Sequence, residues 1–205
     1  MRRARAAAVV ALAICASVIA WARPRAAATT YEVKVSSDVY ALPPTEVVPV
    51  FSLGYRSAMA DLLFTSTIIS YGIHGEEKRR FEFVGQYLDA IIELDPTFRD
   101  PFRLADTLMI YHPVGSPDDE IVRHTARILK KGLERFPDDG YLWLSAGQFF
   151  AYIGPQFLSS PEEKKRFEAE ACAMLERAGQ LASDNVAVQW QALVAGRCLL
   201  DREGD

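Results

Sequence analysis

The sequence predicts an all-α fold: a row of antiparallel helical hairpins behind an extended N-terminal arm. Three observations carry this. From Ser52 onward apolar residues recur three and four positions apart, the period of a helix that buries one face. Helix starts are written as Ser116-Pro117-Asp118-Asp119 and Ser160-Pro161-Glu162-Glu163, which set a serine cap before a first-turn proline and place acids against the helix dipole. Three segments also end alike, at Leu88-x-x-Ile91-Ile92-x-Leu94-Asp95-Pro96, Leu129-x-x-Gly132-Leu133-x-x-Phe136-Pro137 and Leu175-x-x-Ala178-x-x-Leu181-Ala182-Ser183.

Composition excludes several classes. The 205 residues are 50% hydrophobic and 24% charged, which suits a globular chain with room for one full-sized domain. The formal charge of −4 conceals an asymmetry, because residues 1–28 hold five arginines and no acid. The remainder has 18 of the 23 basic side chains against 27 acids, a net of −9. So acidic a body repels a phosphate backbone, and no nucleic-acid partner is expected. Cys15, Cys172 and Cys198 are too few and too scattered for a disulfide scaffold or a four-cysteine metal site.

Residues 1–28 read as an export signal or membrane anchor. Met1-Arg2-Arg3-Ala4-Arg5 precedes 17 uncharged residues, 6–22. A bilayer core of roughly 30 Å asks for about 20 apolar residues and tolerates roughly 17, so both cleavage and retention fit. Ala20-Trp21-Ala22 and Ala26-Ala27-Ala28 are small-x-small cleavage candidates. Ile14 stands where a lipoprotein box needs a small residue, and Arg2-Arg3 lacks the rest of a twin-arginine motif. The expected location is outside the cytoplasm, periplasmic or anchored to the inner membrane, with membrane contact only through residues 6–22 if they are retained.

Residues 29–51 are expected to be an extended connector, since Pro43, Pro44 and Pro49 remove donors and favour polyproline-like geometry. The helical domain spans 52–201, with helices near 52–73, 76–94, 100–112, 117–135, 139–152, 161–182 and 185–201; residues 202–205 form a polar tail. Within it, Phe81, Val84, Leu88, Ile91 and Ile92 form one stripe, and Phe167, Ala171, Met174, Leu175, Ala178 and Leu181 another. In the first helix Arg56 and Asp61 interrupt an apolar run, which argues that it stays in the soluble domain.

After Pro137 the next helix carries Trp143-x-x-Ala146-Gly147-x-x-Phe150. With the shared helix ends this resembles the tetratricopeptide repeat, in which a glycine lets the two helices of a hairpin approach and a proline closes the unit. Spacing departs from a regular unit of about 34 residues: Pro96 to Pro137 is 41 and Pro137 to Ser183 is 46. The surplus falls at 112–115 and 153–159, Asp106 stands where a repeat glycine belongs, and Ser183 replaces a closing proline. The resemblance implies a right-handed superhelix of about three to three and a half units that binds a protein or peptide. It implies contact residues on the open side of the first helices: Arg103, Thr107, Tyr111, Tyr141, Gln148, Tyr152, Trp190 and Gln191. The loop 153–161, with Phe157 and Leu158, is a second candidate surface.

Little else carries chemistry. His74, His112 and His124 lie far apart in sequence and outside ligand spacings, so they are expected in loops or facing solvent, with no metal or cofactor. No nucleophile elbow, phosphate-cradling loop or dinucleotide fingerprint occurs, and the acid clusters at Glu76-Glu77, Asp118-Asp119-Glu120 and Asp138-Asp139 coincide with helix starts. If 161–182 and 185–201 form a hairpin, Cys172 and Cys198 differ by only ~3 Å in height at about 1.5 Å per residue, which permits a disulfide. The expected function is a non-catalytic adaptor in an envelope, secretion or pilus-type assembly. The alternatives are an enzyme or accessory subunit with a carboxylate-lined pocket, and a protein that self-associates through its unfinished last repeat.

Overall fold

The computed structural model describes residues 17–23, 42–112, 114–181, 187 and 190–193. The chain divides into two compact units, Met1–Ala41 and Leu42–Asp205. In the first, residues 17–23 form an exposed helical stretch, α1. The rest of residues 1–28, and residues 29–41 of the expected connector, lie outside the described residues.

The second unit is all helical among the described residues, in the order α2 (Val48–Phe51), α3 (Arg56–Glu76), α4 (Val84–Leu94), α5 (Asp100–Arg103), α6 (Ala105–Ile110), α7 (Asp119–Arg135), α8 (Gly140–Gln148), a π-helical turn (Phe149–Ile153), α9 (Gly154–Phe157) and α10 (Pro161–Leu181). No helix among the described residues is long and apolar enough to cross a membrane.

The second half of the connector is not an extended arm. Pro49 occupies the first turn of α2, where its missing N–H removes no helical bond, and Val48 is buried with Ala60, Ala90, Ile91 and Leu94. Leu53 and Gly54, both at positive φ, then turn the chain into α3. A third positive-φ residue, Lys78, stops α3, so the helix expected from 76 begins only at Val84. The helix expected over 100–112 breaks at Leu104 and resumes at Ala105. The α7 cap is Asp118 rather than Ser116, its carboxylate accepting the Ile121 N–H at 2.9 Å, so the helix starts two residues later than the Ser-Pro signal places it. Ser160 does cap α10, its hydroxyl accepting the Glu163 N–H at 3.3 Å.

The expected loop 153–161 is mostly helix. Pro155 cannot donate to the carbonyl of Ala151, and the chain absorbs the defect in a π turn in which the Gly154 N–H reaches back five residues to Phe149. The helix then continues to Phe157, and Leu158 is buried, so this segment contributes core rather than a second contact surface. Of the helix expected over 185–201, residues 187 and 190–193 are described, and both are helical. Cys172 is half-buried; Cys198 lies outside the described residues.

Pairing follows from where side chains meet. Arg56, at the start of α3, donates to the carbonyls of Glu93 and Leu94 at the end of α4, at 2.6 and 3.1 Å, while His74 near the end of α3 stacks on Phe81 before α4. Gly132 in α7 faces Phe102 of α5, and seven residues earlier Thr125 meets Met109 of α6. From Gly140 to Gly147 to Gly154, the contacts on the following helix run backwards, from Leu181 to Leu175 to Phe167. The helices therefore form three consecutive antiparallel pairs: α3/α4, α5–α6/α7 and α8–α9/α10. The second helices are linked side by side by Asp89–His124, Arg123–Glu163 and Lys130–Glu170, pairs exposed enough to add little stability.

The core runs through all three pairs, with Leu88, Phe102, Leu129, Leu142, Phe149, Phe150 and Leu175 almost wholly buried. Both stripes read from the sequence lie inward, apart from partly exposed Leu181. Phe150 stacks on Phe167 at 4.6 Å, whereas Trp143 is only half-buried and donates its indole N–H to the Pro137 carbonyl at 2.9 Å.

Candidate functional site

Six of the eight residues expected to meet a partner lie on or just after the first helices of the second and third pairs, and polar links join the first helices of all three pairs. Tyr71 of α3 donates its hydroxyl to the carbonyls of Thr107 and Tyr111 at the end of α6. Ser145 of α8 donates to Asp106 of α6 at 3.4 Å. Arg103 of α5 donates to the Asp139 carboxylate at 2.6 Å, and its guanidinium lies 5.6 Å from the centre of the Tyr141 ring. Arg99 approaches the same carboxylate at 3.9 Å.

The expected contact residues separate into four pairs. Arg103 and Tyr141 come together as one partly exposed cation–aromatic pair, and Thr107 and Tyr111 meet through the Tyr71 hydroxyl. Gln148 and Tyr152 are half-buried, and Tyr152 packs against the core. Trp190 and Gln191 are exposed on the described helical turn 190–193.

Tyr71, Asp106, Asp139 and Ser145 were not among the expected contacts. Their signal is a separation of 36 to 40 residues between partners, one hairpin plus its loops, which is visible only once the repeat length is fixed. Asp139 does cap its helix, accepting the Leu142 N–H at 3.1 Å, and the second oxygen binds Arg103.

Asp106 is buried where the repeat pattern asks for glycine. Burial pushes its carboxyl up from the ordinary carboxylate range, against the bonds from Thr107 and Ser145 that pull it down. A raised folded value means that the unfolded chain gives up this proton first. Asp106 therefore removes stability as pH rises from the ordinary carboxylate range through its folded value. Asp106→Asn keeps an acceptor for Thr107 and presents an N–H to Ser145. It is expected to raise stability at neutral pH by on the order of 1 kcal/mol and to flatten this part of the pH profile, as read by urea unfolding at pH 4 to 8.

A second surface was not anticipated. Helix α3 buries Ala60, Thr67 and His74, spaced seven apart, and half-buries Met59, Leu63 and Phe64. Its other side presents Tyr55, Leu62, Ile69 and Ile73 to solvent, with Leu62 69% and Ile69 57% exposed. Val50, Phe51 and Leu53 extend this apolar exposure just before the helix. Asp61 is exposed, while Arg56 is occupied by the α4 carbonyls rather than offered to a partner.

Of the three histidines only His112 lies in a loop, and none is fully exposed. His74 is buried, the His112 ring lies 5.9 Å from that of Tyr71, and His124 bonds Asp89 at 2.7 Å. His112 and His124 line one cavity, brought together because α6 ends and α7 starts at the same end of their pair. No group of three or more metal-ligating side chains occurs among the described residues. Comparison with family models, curated proteins and solved structures finds no match to this chain.

Proposed function

We propose that the protein is a non-catalytic adaptor, a tetratricopeptide-like array of about three to three and a half units forming a right-handed superhelix. Residues 1–28 export it or tether it to the inner membrane, and the array holds a protein or peptide within an envelope, secretion or pilus-type assembly. The observation that carries this reading is the second apolar stripe of α3. A helix that already buries one face gains nothing within its own fold from Leu62, Ile69 and Ile73 on another, so their use lies in contact with a partner. The Arg103–Tyr141 pair is the complementary polar anchor, a combination suited to an interface hot spot.

The test is photo-crosslinking of the full-length protein in its native envelope, with the crosslinking residue in place of Leu62 or Tyr141 and, as control, of the exposed Arg127 on α7. A discrete adduct with a different protein from position 62 or 141, and none from 127, is the expected result. Adducts indistinguishable from the control would overturn the reading. An adduct only of dimer mass would replace it with self-association.

A further inference from the structure

On the side of α3 away from Ala60, Thr67 and His74, two series of exposed residues repeat every seven positions. One is large, Tyr55, Leu62 and Ile69; the other, three residues further on, is small, Ala58, Thr65 and Gly72. Two such series, offset by three, form the seam along which a second helix packs. Gly72 is the least expected member. A glycine inside a helix weakens it, and a Cβ here would meet nothing within 4 Å, so no contact within the chain calls for it.

The two series fit each other when α3 is laid antiparallel against itself. With a two-fold axis midway between residues 63 and 64, Leu62 of one copy lies level with Thr65 of the other, Ile69 with Ala58, and Tyr55 with Gly72. Every layer then joins one large residue to one small one, as close packing requires. A parallel pair would set Leu62 on Leu62 and leave a gap between two copies of Gly72. It would also bring the two Asp61 carboxylates level, and Asp61 is the only Asp, Glu, Lys or Arg from 57 to 75. In the antiparallel pair they stand five residues apart, ~7.5 Å along the axis at about 1.5 Å per residue.

Area argues for the same occupant. Leu53, Tyr55, Leu62, Ile69 and Ile73 each leave on the order of 100 Å² uncovered, and with the small residues one copy offers roughly 600 Å². Two copies cover roughly 1,200 Å², the lower end of what a stable, specific interface buries. A membrane surface would instead call for lysine or arginine beside the stripe, and there is none from 57 to 77.

We infer that α3 is a dimerisation helix, which packs antiparallel on α3 of a second copy of this chain. This rests on the reading that the outer stripe of α3 meets a partner, and names that partner; Arg103 and Tyr141, on the later pairs, are left for the protein that is held.

Sedimentation of detergent-solubilised full-length protein over a range of concentrations should show a dimer. Gly72→Leu should weaken it by at least about tenfold, because a second large residue then meets Tyr55 in one layer. A merely adhesive surface would associate more strongly with the added leucine. Gly72→Ala keeps the layer small and should leave the dimer intact; thermal unfolding checks that both variants fold. Register is read by oxidation. Ala58→Cys and Ile69→Cys chains produced together should join by a disulfide between the new cysteines, located by mass spectrometry, and neither chain should join its own kind there. A strict monomer, a dimer unchanged or strengthened by Gly72→Leu, a missing 58–69 disulfide, or self-joining at either new cysteine each overturns the seam. A different protein crosslinked at position 62 without the 58–69 disulfide keeps the adaptor reading and removes the seam. The disulfide together with only dimer-mass adducts at 62 and 141 does the reverse.

Discussion

Gly147→Val is expected to destabilise the helical domain by about 3 kcal/mol or more, seen as a fall in the urea midpoint at unchanged slope. A Cβ at this position would lie 2.7 Å from both Cγ and Cδ2 of Leu175 and 3.2 Å from the Leu175 backbone nitrogen. Leu175 is almost fully buried, so its side chain has no free space into which to rotate, and α8 and α10 must separate. Gly147→Ala adds a single carbon and gains back about 1 kcal/mol of helix propensity, so a smaller loss is expected. Gly72, inside the C-terminal part of α3, is the internal control. A Cβ there meets nothing within 4 Å, and Gly72→Ala is expected to stabilise by roughly 0.5–1 kcal/mol. Stabilisation by Gly147→Ala equal to that by Gly72→Ala would show that close approach in the third pair is not what the glycine provides.

The second large effect is expected at Asp139, whose two oxygens do two jobs. One caps α8 through the Leu142 N–H, and the other binds Arg103 at 2.6 Å, in a side chain only 4% exposed. Asp139→Ala removes a cap worth about 1 kcal/mol and a charge-assisted bond worth roughly 1.5–3 kcal/mol. It also leaves more of a guanidinium unsatisfied whose Nε already has no partner. Because the Arg103 side chain is 32% exposed, water recovers part of this, and a total of about 2–3 kcal/mol is expected. Asp139→Asn keeps the cap oxygen and should cost about half as much. A double-mutant cycle with Arg103→Met separates the two roles: the cap loss persists without the arginine, and the coupling does not. A coupling below about 0.3 kcal/mol would show that the link between the second and third pairs is not energetic.

Much of the fold is legible in the residue order, for local reasons. The Ser160 cap, the stripes of α4 and α10, and Gly147 against a facing helix all follow from periods and spacings within a single hairpin. Readings failed where a local rule has two outcomes. Proline favours an extended chain at 43–44 but also fits the first turn of α2 at Pro49, and burial of Val48 decided between them. Pro155 signals a helix end, yet a π turn lets the helix pass through it to Phe157. Lys78 carries no sign of the left-handed conformation that ends α3.

The candidate sites were less legible, because they depend on which surface is left over after packing. By itself the sequence determined that the described residues are mainly helical from α3 onward, that their helices pair in hairpins, and that an acidic body follows a basic N-terminal segment. Those properties are set by the 3.6-residue period, by caps and by charge along the chain, all of which act over a few residues. Only the tertiary structure decided that Arg103 meets Tyr141 and Asp139, that one of the two apolar stripes of α3 remains outside, and that Arg80, His112 and His124 share a cavity. Arg103 lies 36 and 38 positions from Asp139 and Tyr141, and Arg80 lies 32 and 44 from His112 and His124. What brings them together is the stacking of one hairpin on the next, and its register is set by summed side-chain volumes across the core rather than by any local signal.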